Sequence, residues 1–308
     1  MEEEQPRRQG PDPVIDLFEG LDEEPAPERR ARPEPRQRRR GNVLRGETAR
    51  RIVVAIPWIA FAIGITVLGG LPFALAMAVI ALVCLRELFV MTSDLRPVQI
   101  AAYVAVAAMV AAAHFGTAFN VLLALAASFP LLFFFGADRR HRDAVTVSLG
   151  VSVLAIVWIG LPFVHAVLLR ELPDHGAALL IDVLVGTFAT DTGAYATGRM
   201  FGSHRIAPSL SPNKTLEGLI GGFLIGTMAF WFAGLYQDWL SGIDALLIGA
   251  AVAAVAPVGD LFASLIKRDL DRKDTGRLFG PHGGVLDRLD AVLFTIVVGY
   301  YLSLLLVY

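Results

Sequence analysis

The sequence predicts an all-α fold: a polytopic helical membrane protein with about nine transmembrane helices, a cytoplasmic N-terminus and a disordered N-terminal tail. Three observations predict it. Apolar residues make up 55% of the 308-residue chain, and the mean hydropathy is +0.58. Apolar runs recur at roughly the 20 residues that cross a bilayer core. Lys and Arg gather in alternate connections between those runs, the asymmetry that fixes membrane orientation.

Residues 1–50 are rich in Glu, Arg and Pro, include PEPRQRRRG at 33–41, and show almost no apolar periodicity. Such a segment cannot bury enough surface to offset its chain entropy, so it is expected to be a disordered, charged cytoplasmic tail. It begins acidic and ends basic, with Arg45, Arg50 and Arg51 directly before the first span. Its basic end suits either contact with anionic headgroups or a solvated tail that sets topology. It lacks the short charged start, apolar middle and cleavage site of a secretory signal peptide. Residues 51–308 are then expected to form the transmembrane domain.

The spans are expected at about 52–69, 71–91, 98–116, 120–136, 144–166, 177–197, 216–235, 244–266 and 290–308. With the Arg-rich tail inside, the second, fourth, sixth and eighth connections face the cytosol. These are TSDLRP, ADRRHRD at 137–143, GRMFGSHRIAPSLSPNKT at 198–215, and the loop at 267–290. The opposite connections, such as YQDWLSGID at 236–244, carry no Lys or Arg except Arg170. Both long polar loops therefore share the cytoplasmic face. The only cysteine, Cys84, falls inside an apolar run, which excludes an intramolecular disulfide and a cysteine metal cluster.

The polar chemistry concentrates in the last third. Ser211-Pro212-Asn213-Lys214-Thr215 precedes Glu217-Gly218 at a helix entry, where N–H groups and the macrodipole favour an anion. The bland alternative is an ordinary helix start capped by Ser211 or Thr215. Asp191 lies within the sixth span, where an ionisable group is costly unless paired or facing water. Arg86 and Glu87 are adjacent and so point to different parts of their helix surface. Asp260, Ser264 and Lys267 stand at i, i+4 and i+7, on one helical face leading into the last loop. Asp287 and Asp290, three apart, also share a face. Mg²⁺ takes few protein carboxylates and completes its shell with phosphate oxygens and water, which suits Asp260 and Asp287 beside a basic loop. Gly280, Gly283 and Gly284 let the backbone approach a ligand closely, and His282 between them has a donor for a phosphate. The competing explanation for these charges is a set of interfacial salt bridges.

The stretch from Ser264 to Asp290 resembles the signature of phosphatidate cytidylyltransferases, the CDP-diacylglycerol synthases. Matching positions include Ser264, Lys267, Arg268, Lys273, Asp274, Gly276, Phe279, His282, Gly283, Gly284, Asp287, Arg288 and Asp290. DTGAY, SPNKT and EGLIGG, together with Gly259-Asp260, resemble the same family, so the likeness is dense over about 187–290. Two positions depart from its pattern: Asn213 stands where a second lysine is usual, and Gly280-Pro281 replaces the commoner Pro-Gly order.

The resemblance implies transfer of the cytidylyl group of CTP to phosphatidic acid, giving CDP-diacylglycerol and pyrophosphate. On that reading Asp260, Asp287 and Lys267 are catalytic. Asp260 and Asp287 bind Mg²⁺, with Asp290 and Asp191 as supports and a second cation left open. Ser211, Lys214, Thr215, Ser264, Arg268, Lys273, Asp274, His282, Gly283, Gly284 and Arg288 surround the substrates. The implied setting is a multi-pass protein of the plasma (inner) membrane, active at its cytoplasmic face, with CTP, phosphatidic acid and membrane lipid as partners, a homodimer as its assembly and no nucleic acid. Two other readings stay open: a CTP-dependent lipid kinase acting on a polyprenol or phytol-type alcohol, and a membrane transporter. The second fits less well, because transporter sites collect near the midplane between repeated halves.

Overall fold

A computed structural model describes residues 57–137, 145–276 and 283–308. The expected tail at 1–50, most of the ADRRHRD loop and His282 lie outside the described residues. The rest is mainly helical, as an apolar segment in lipid must be to pair its own backbone groups. α1 (Pro57–Leu68), α2 (Gly70–Met91), α3 (Gln99–Phe115) and α4 (Ala118–Ala137) come first. α5 (Val145–Ala155) continues through a π-helical turn, Ile156–Gly160, into α6 (Leu161–Arg170), and the three form one 26-residue span. α7 (Gly176–Phe201), α8 (Leu216–Gly234), α9 (Gly242–Asp269) and α10 (Leu286–Leu306) complete the bundle. Among the described residues, seven spans are long and apolar enough to cross a membrane, and α1 and α3 are shorter apolar helices. The nine expected segments are therefore all present as helices.

Three details differ from the expected boundaries. The fifth span carries the π turn just ahead of Pro162, whose missing N–H cannot continue a regular ladder. The connection at 198–215 is not a plain loop: α7 runs on to Phe201, and β1 (Arg205–Ala207) pairs antiparallel with β2 (Ser211–Thr215). The last span begins at Leu286, so Asp287 sits in its first turn and Asp290 one turn further in.

Small residues set the tightest packing. Gly218, Gly222 and Gly226 recur every fourth position along α8 and meet α7 at Ala194 O, Thr190 O and the Thr190 hydroxyl. The bare glycine stripe of α8 lets its backbone approach α7 closely, a common route to helix association in lipid. α7 also packs on α9 and α10, while α6 joins this C-terminal group to α2 and α3. The Thr187 hydroxyl lies 2.8 Å from that of Thr295, tying α7 to α10 through buried polar groups. The end of the bundle that gathers the C-termini of α2, α7 and α9, the hairpin and the N-termini of α8 and α10 carries the polar chemistry.

Candidate active site

α9 is the spine of this end. It stays helical to Asp269, so Asp260, Ser264 and Lys267 stand on one face. The Lys267 Nζ donates to Asp287 Oδ1 at 2.8 Å, with side chains only 12% and 11% exposed. At that burial, removing one partner would strand a charge. The other oxygen of Asp287, Oδ2, accepts from the Thr275 N–H at 2.8 Å, the Thr275 hydroxyl at 3.0 Å and the Gly284 N–H at 2.9 Å. Gly283 has φ of +84°, a conformation glycine adopts without cost, and a Cβ there would stand 2.8 Å from Asp287 Oδ2. The glycine pair is thus needed for the backbone to close on this carboxylate.

A second ion pair lies alongside. Lys214 Nζ is 2.7 Å from Asp260 Oδ2. The ammonium nitrogen is buried, yet this contact lacks hydrogen-bond alignment, so its N–H donors are not used up within the protein. The hairpin that delivers Lys214 is held from three sides. Thr215 caps α8 by accepting from the Gly218 N–H at 3.1 Å. Glu217 accepts from the Ser203 N–H at 3.0 Å and pairs with His204 Nδ1 at 2.6 Å. Arg268 on α9 donates to the Leu210 carbonyl at 3.3 Å and to the Arg272 carbonyl at 3.1 Å. The two polar loops are therefore linked to each other through α9.

Asp290, 9% exposed, and Asp191, at the protein surface, both lie within electrostatic reach of Asp260 and of each other. The expected site residues divide accordingly. Asp260, Lys214, Asp191 and Asp290 form one neighbourhood; Asp287, Lys267 and Gly284 form the next. Ser264 is half-buried between Asp260 and Lys267, and Ser211 opens β2. Lys273, Asp274 and Arg288 are exposed at the rim. Among the described residues, no group of three or more His, Cys, Asp or Glu side chains is gathered as a ligand set.

Two residues of this region are missing from the sequence-based set. Thr275 donates to Asp287 through both its backbone and its hydroxyl. Glu87, at the far end of α2, is buried and accepts from the Val285 and Leu286 N–H groups at 3.0 and 2.9 Å. Its only signal in the sequence was a charge inside an apolar span. Three other intramembrane polar groups are paired away from this site: Asp182 accepts from Gln237 Nε2 at 2.7 Å, His114 pairs with Glu171, and His165 contacts the Leu161 carbonyl and the Tyr301 hydroxyl.

Comparison with known proteins shows the family. A profile of the Cytidylyltransferase family matches residues 49–306. A protein of Bacillus subtilis named phosphatidate cytidylyltransferase is 36% identical over 154 residues, covering 50% of this chain and 57% of that protein. Proteins of the same name from Haemophilus influenzae and Thermotoga maritima are 38% identical over 143 and 166 residues. These matches cover 43% and 52% of this chain, and 50% and 61% of the relatives. The chain thus spans about half the length of the curated relatives it matches. With most of its length inside the family profile, this chain belongs to the cytidylyltransferase family.

Proposed function

We propose that the protein transfers the cytidylyl group of CTP to phosphatidic acid, forming CDP-diacylglycerol and pyrophosphate. The observation that carries this reading is the pairing of two largely buried lysines, Lys214 and Lys267, with two carboxylates, Asp260 and Asp287, at one end of a membrane bundle. A lipid phosphate is confined to the headgroup plane, and a nucleotide arrives from water. A site at the helix ends serves both.

In the proposed reaction a phosphate oxygen of phosphatidic acid attacks the α-phosphorus of CTP. The bond from that phosphorus to the β-phosphate oxygen breaks, and pyrophosphate leaves. The nucleophile is already ionised, so no general base is required. Transfer of this kind depends on positioning and charge neutralisation. Lys214, whose N–H donors are not used up by Asp260, and Lys267 hold phosphate oxygens. Arg268, Lys273 and Arg288 add positive charge at the rim, and Ser211, Ser264 and the amides near Gly283 and Gly284 orient what the lysines bind. His282 is assigned to the same group from the sequence.

Mg²⁺ fits the residues present. Asp260 gives one oxygen to Lys214. On Asp287 three donors occupy Oδ2, but among the described residues Oδ1 accepts only from Lys267 and keeps a lone pair. A hard cation needs only one or two protein carboxylates when phosphates complete its shell. Asp260 and Asp287 would hold it, with Asp290 and Asp191 in support and room in the charge balance for a second cation. Bound there, it would neutralise charge on the triphosphate.

The bilayer is assigned as the plasma membrane, with the hairpin end in the cytosol and a homodimer as the assembly. The test is purified protein with phosphatidic acid and α-labelled CTP, with and without EDTA. Label in the lipid fraction with release of pyrophosphate, stopped by EDTA and restored by Mg²⁺, is the expected result. Label remaining in water, with γ-label entering an added lipid alcohol and CDP released, would replace this reading with a CTP-dependent lipid kinase.

A further inference from the structure

The Asp287 cage has a support that enters from the other half of the bundle. Glu87 projects from α2 into the loop that carries the family signature, 188 residues away in sequence from Thr275. Its carboxylate accepts from the N–H groups of Val285 and Leu286, the first free donors of α10. No side chain of α10 itself caps this end: Val285 is the N-cap and cannot. Glu87 acts as a cap supplied in trans, with its negative charge at the positive end of the helix dipole. The Thr275 hydroxyl has a single hydrogen, and with Asp287 Oδ2 at 3.0 Å and Glu87 Oε2 at 3.2 Å the two carboxylates share it in a three-centre bond. A Cβ on Gly276 would stand 2.7 Å from Glu87 Oε1, and one on Gly284 would also meet the carboxylate. Glu87 therefore fills the space that two glycines of the loop leave open.

We propose that Glu87 is a positioning residue for the transfer. It fastens both ends of the signature loop, Thr275 and Val285-Leu286, to α2, and through Thr275 it fixes the orientation of the Asp287 carboxylate toward Lys267. The adjacent Arg86 is exposed, so the role falls on one residue of the pair. The effect on turnover rests on the cytidylyl-transfer reading; the fastening of the loop does not.

The test has two arms. In the kinetic arm, Glu87→Gln keeps the reach but presents an N–H to backbone donors. It is expected to lower kcat by about 10²-fold, the scale of a misplacement near 1 Å, while KM for CTP and for phosphatidic acid stays within about twofold. Thr275→Val is expected to lower kcat in the same way, Thr275→Ser to keep it, and the Glu87→Gln/Thr275→Val pair to be no worse than the poorer single variant. In the second arm, hydrogen exchange on the full-length protein in detergent should show faster exchange in Glu87→Gln at Thr275 and 284–286, with the other helices unchanged. Wild-type kcat in Glu87→Gln, or faster exchange spread evenly through the bundle, would overturn the proposal. If the wild-type protein moves no label from CTP to lipid, the reaction assigned above fails, and the exchange arm still decides whether Glu87 fastens the loop.

Discussion

Lys267 and Asp287 illustrate how a single residue's environment sets what its substitution does. Each is about nine-tenths buried, and Asp287 accepts four hydrogen bonds. Replacing Lys267 with Met leaves a carboxylate facing an apolar wall, and replacing Asp287 with Asn leaves an ammonium without its charge partner. Both should abolish turnover, while the Lys267→Met/Asp287→Asn protein should fold better than Lys267→Met alone. The coupling expected for residues in direct contact is about 0.5–3 kcal/mol. Thermal unfolding in detergent measures it, and strictly additive losses would show that the two do not act as a pair. Lys214 and Asp260 differ, because they are 25% and 36% exposed. Here stability should hardly change, and Lys214→Ala should instead reduce kcat/KM for CTP by about 10²-fold, or about 2.7 kcal/mol. Unchanged kcat/KM would remove Lys214 from the phosphate site. Both lysines and both carboxylates could be picked out from the sequence, since charges beside spans are rare and their spacing defines a face. Glu87 and Thr275 could not be given roles that way: their contact joins α2 to the last loop, and local spacing carries no trace of a partner 188 residues distant.

At the level of elements, length and apolarity made the spans visible, while packing decided the exceptions. SPNKT at 211–215 contains Pro, Asn and Lys, poor strand formers, and becomes β2 only because β1, the Thr215 cap and Arg268 hold it. The π turn before Pro162 likewise shows no periodicity of its own. The seam between α7 and α8 supports a prediction at this scale. A Cβ on Gly222 would stand 2.7 Å from the Thr190 carbonyl and 2.8 Å from the Ala194 Cβ, and neither can retreat without shifting α7. Gly222→Ala should therefore cost about 1–3 kcal/mol, the range for overpacking a close-packed seam. Gly150→Ala, in α5 with nothing within 4 Å, should be neutral or slightly stabilising through helix propensity. Equal unfolding temperatures for the two variants would contradict the close approach of α7 and α8.

Across the whole molecule the two ends of the bundle have different work. One end carries Lys214, Asp260, Lys267, Asp287 and the hairpin. The other is closed by contacts between polar side chains and helix ends: Arg170 reaches the Thr66 and Val67 carbonyls that finish α1, His114 pairs with Glu171, and the Tyr308 hydroxyl bonds the Pro173 carbonyl. The orientation proposed above, which the Lys and Arg asymmetry among the loops supports, puts the first end in the cytosol. The turn holding Tyr236, 91% exposed, belongs to the second end, and Asn213 is exposed at the first. The single native cysteine, Cys84, is fully buried, so an introduced cysteine can be read without removing it. In intact bacterial cells a membrane-impermeant maleimide should label Tyr236→Cys and spare Asn213→Cys. In inverted membrane vesicles the preference should reverse. The assay bears directly on the proposed function, because that reading draws CTP from the cytosol and a site on the far face would have no access to it. Labelling of both positions from one side would break the alternation of spans, whereas a clean reversal of the expected sides would keep the bundle and overturn the cytoplasmic assignment of the site.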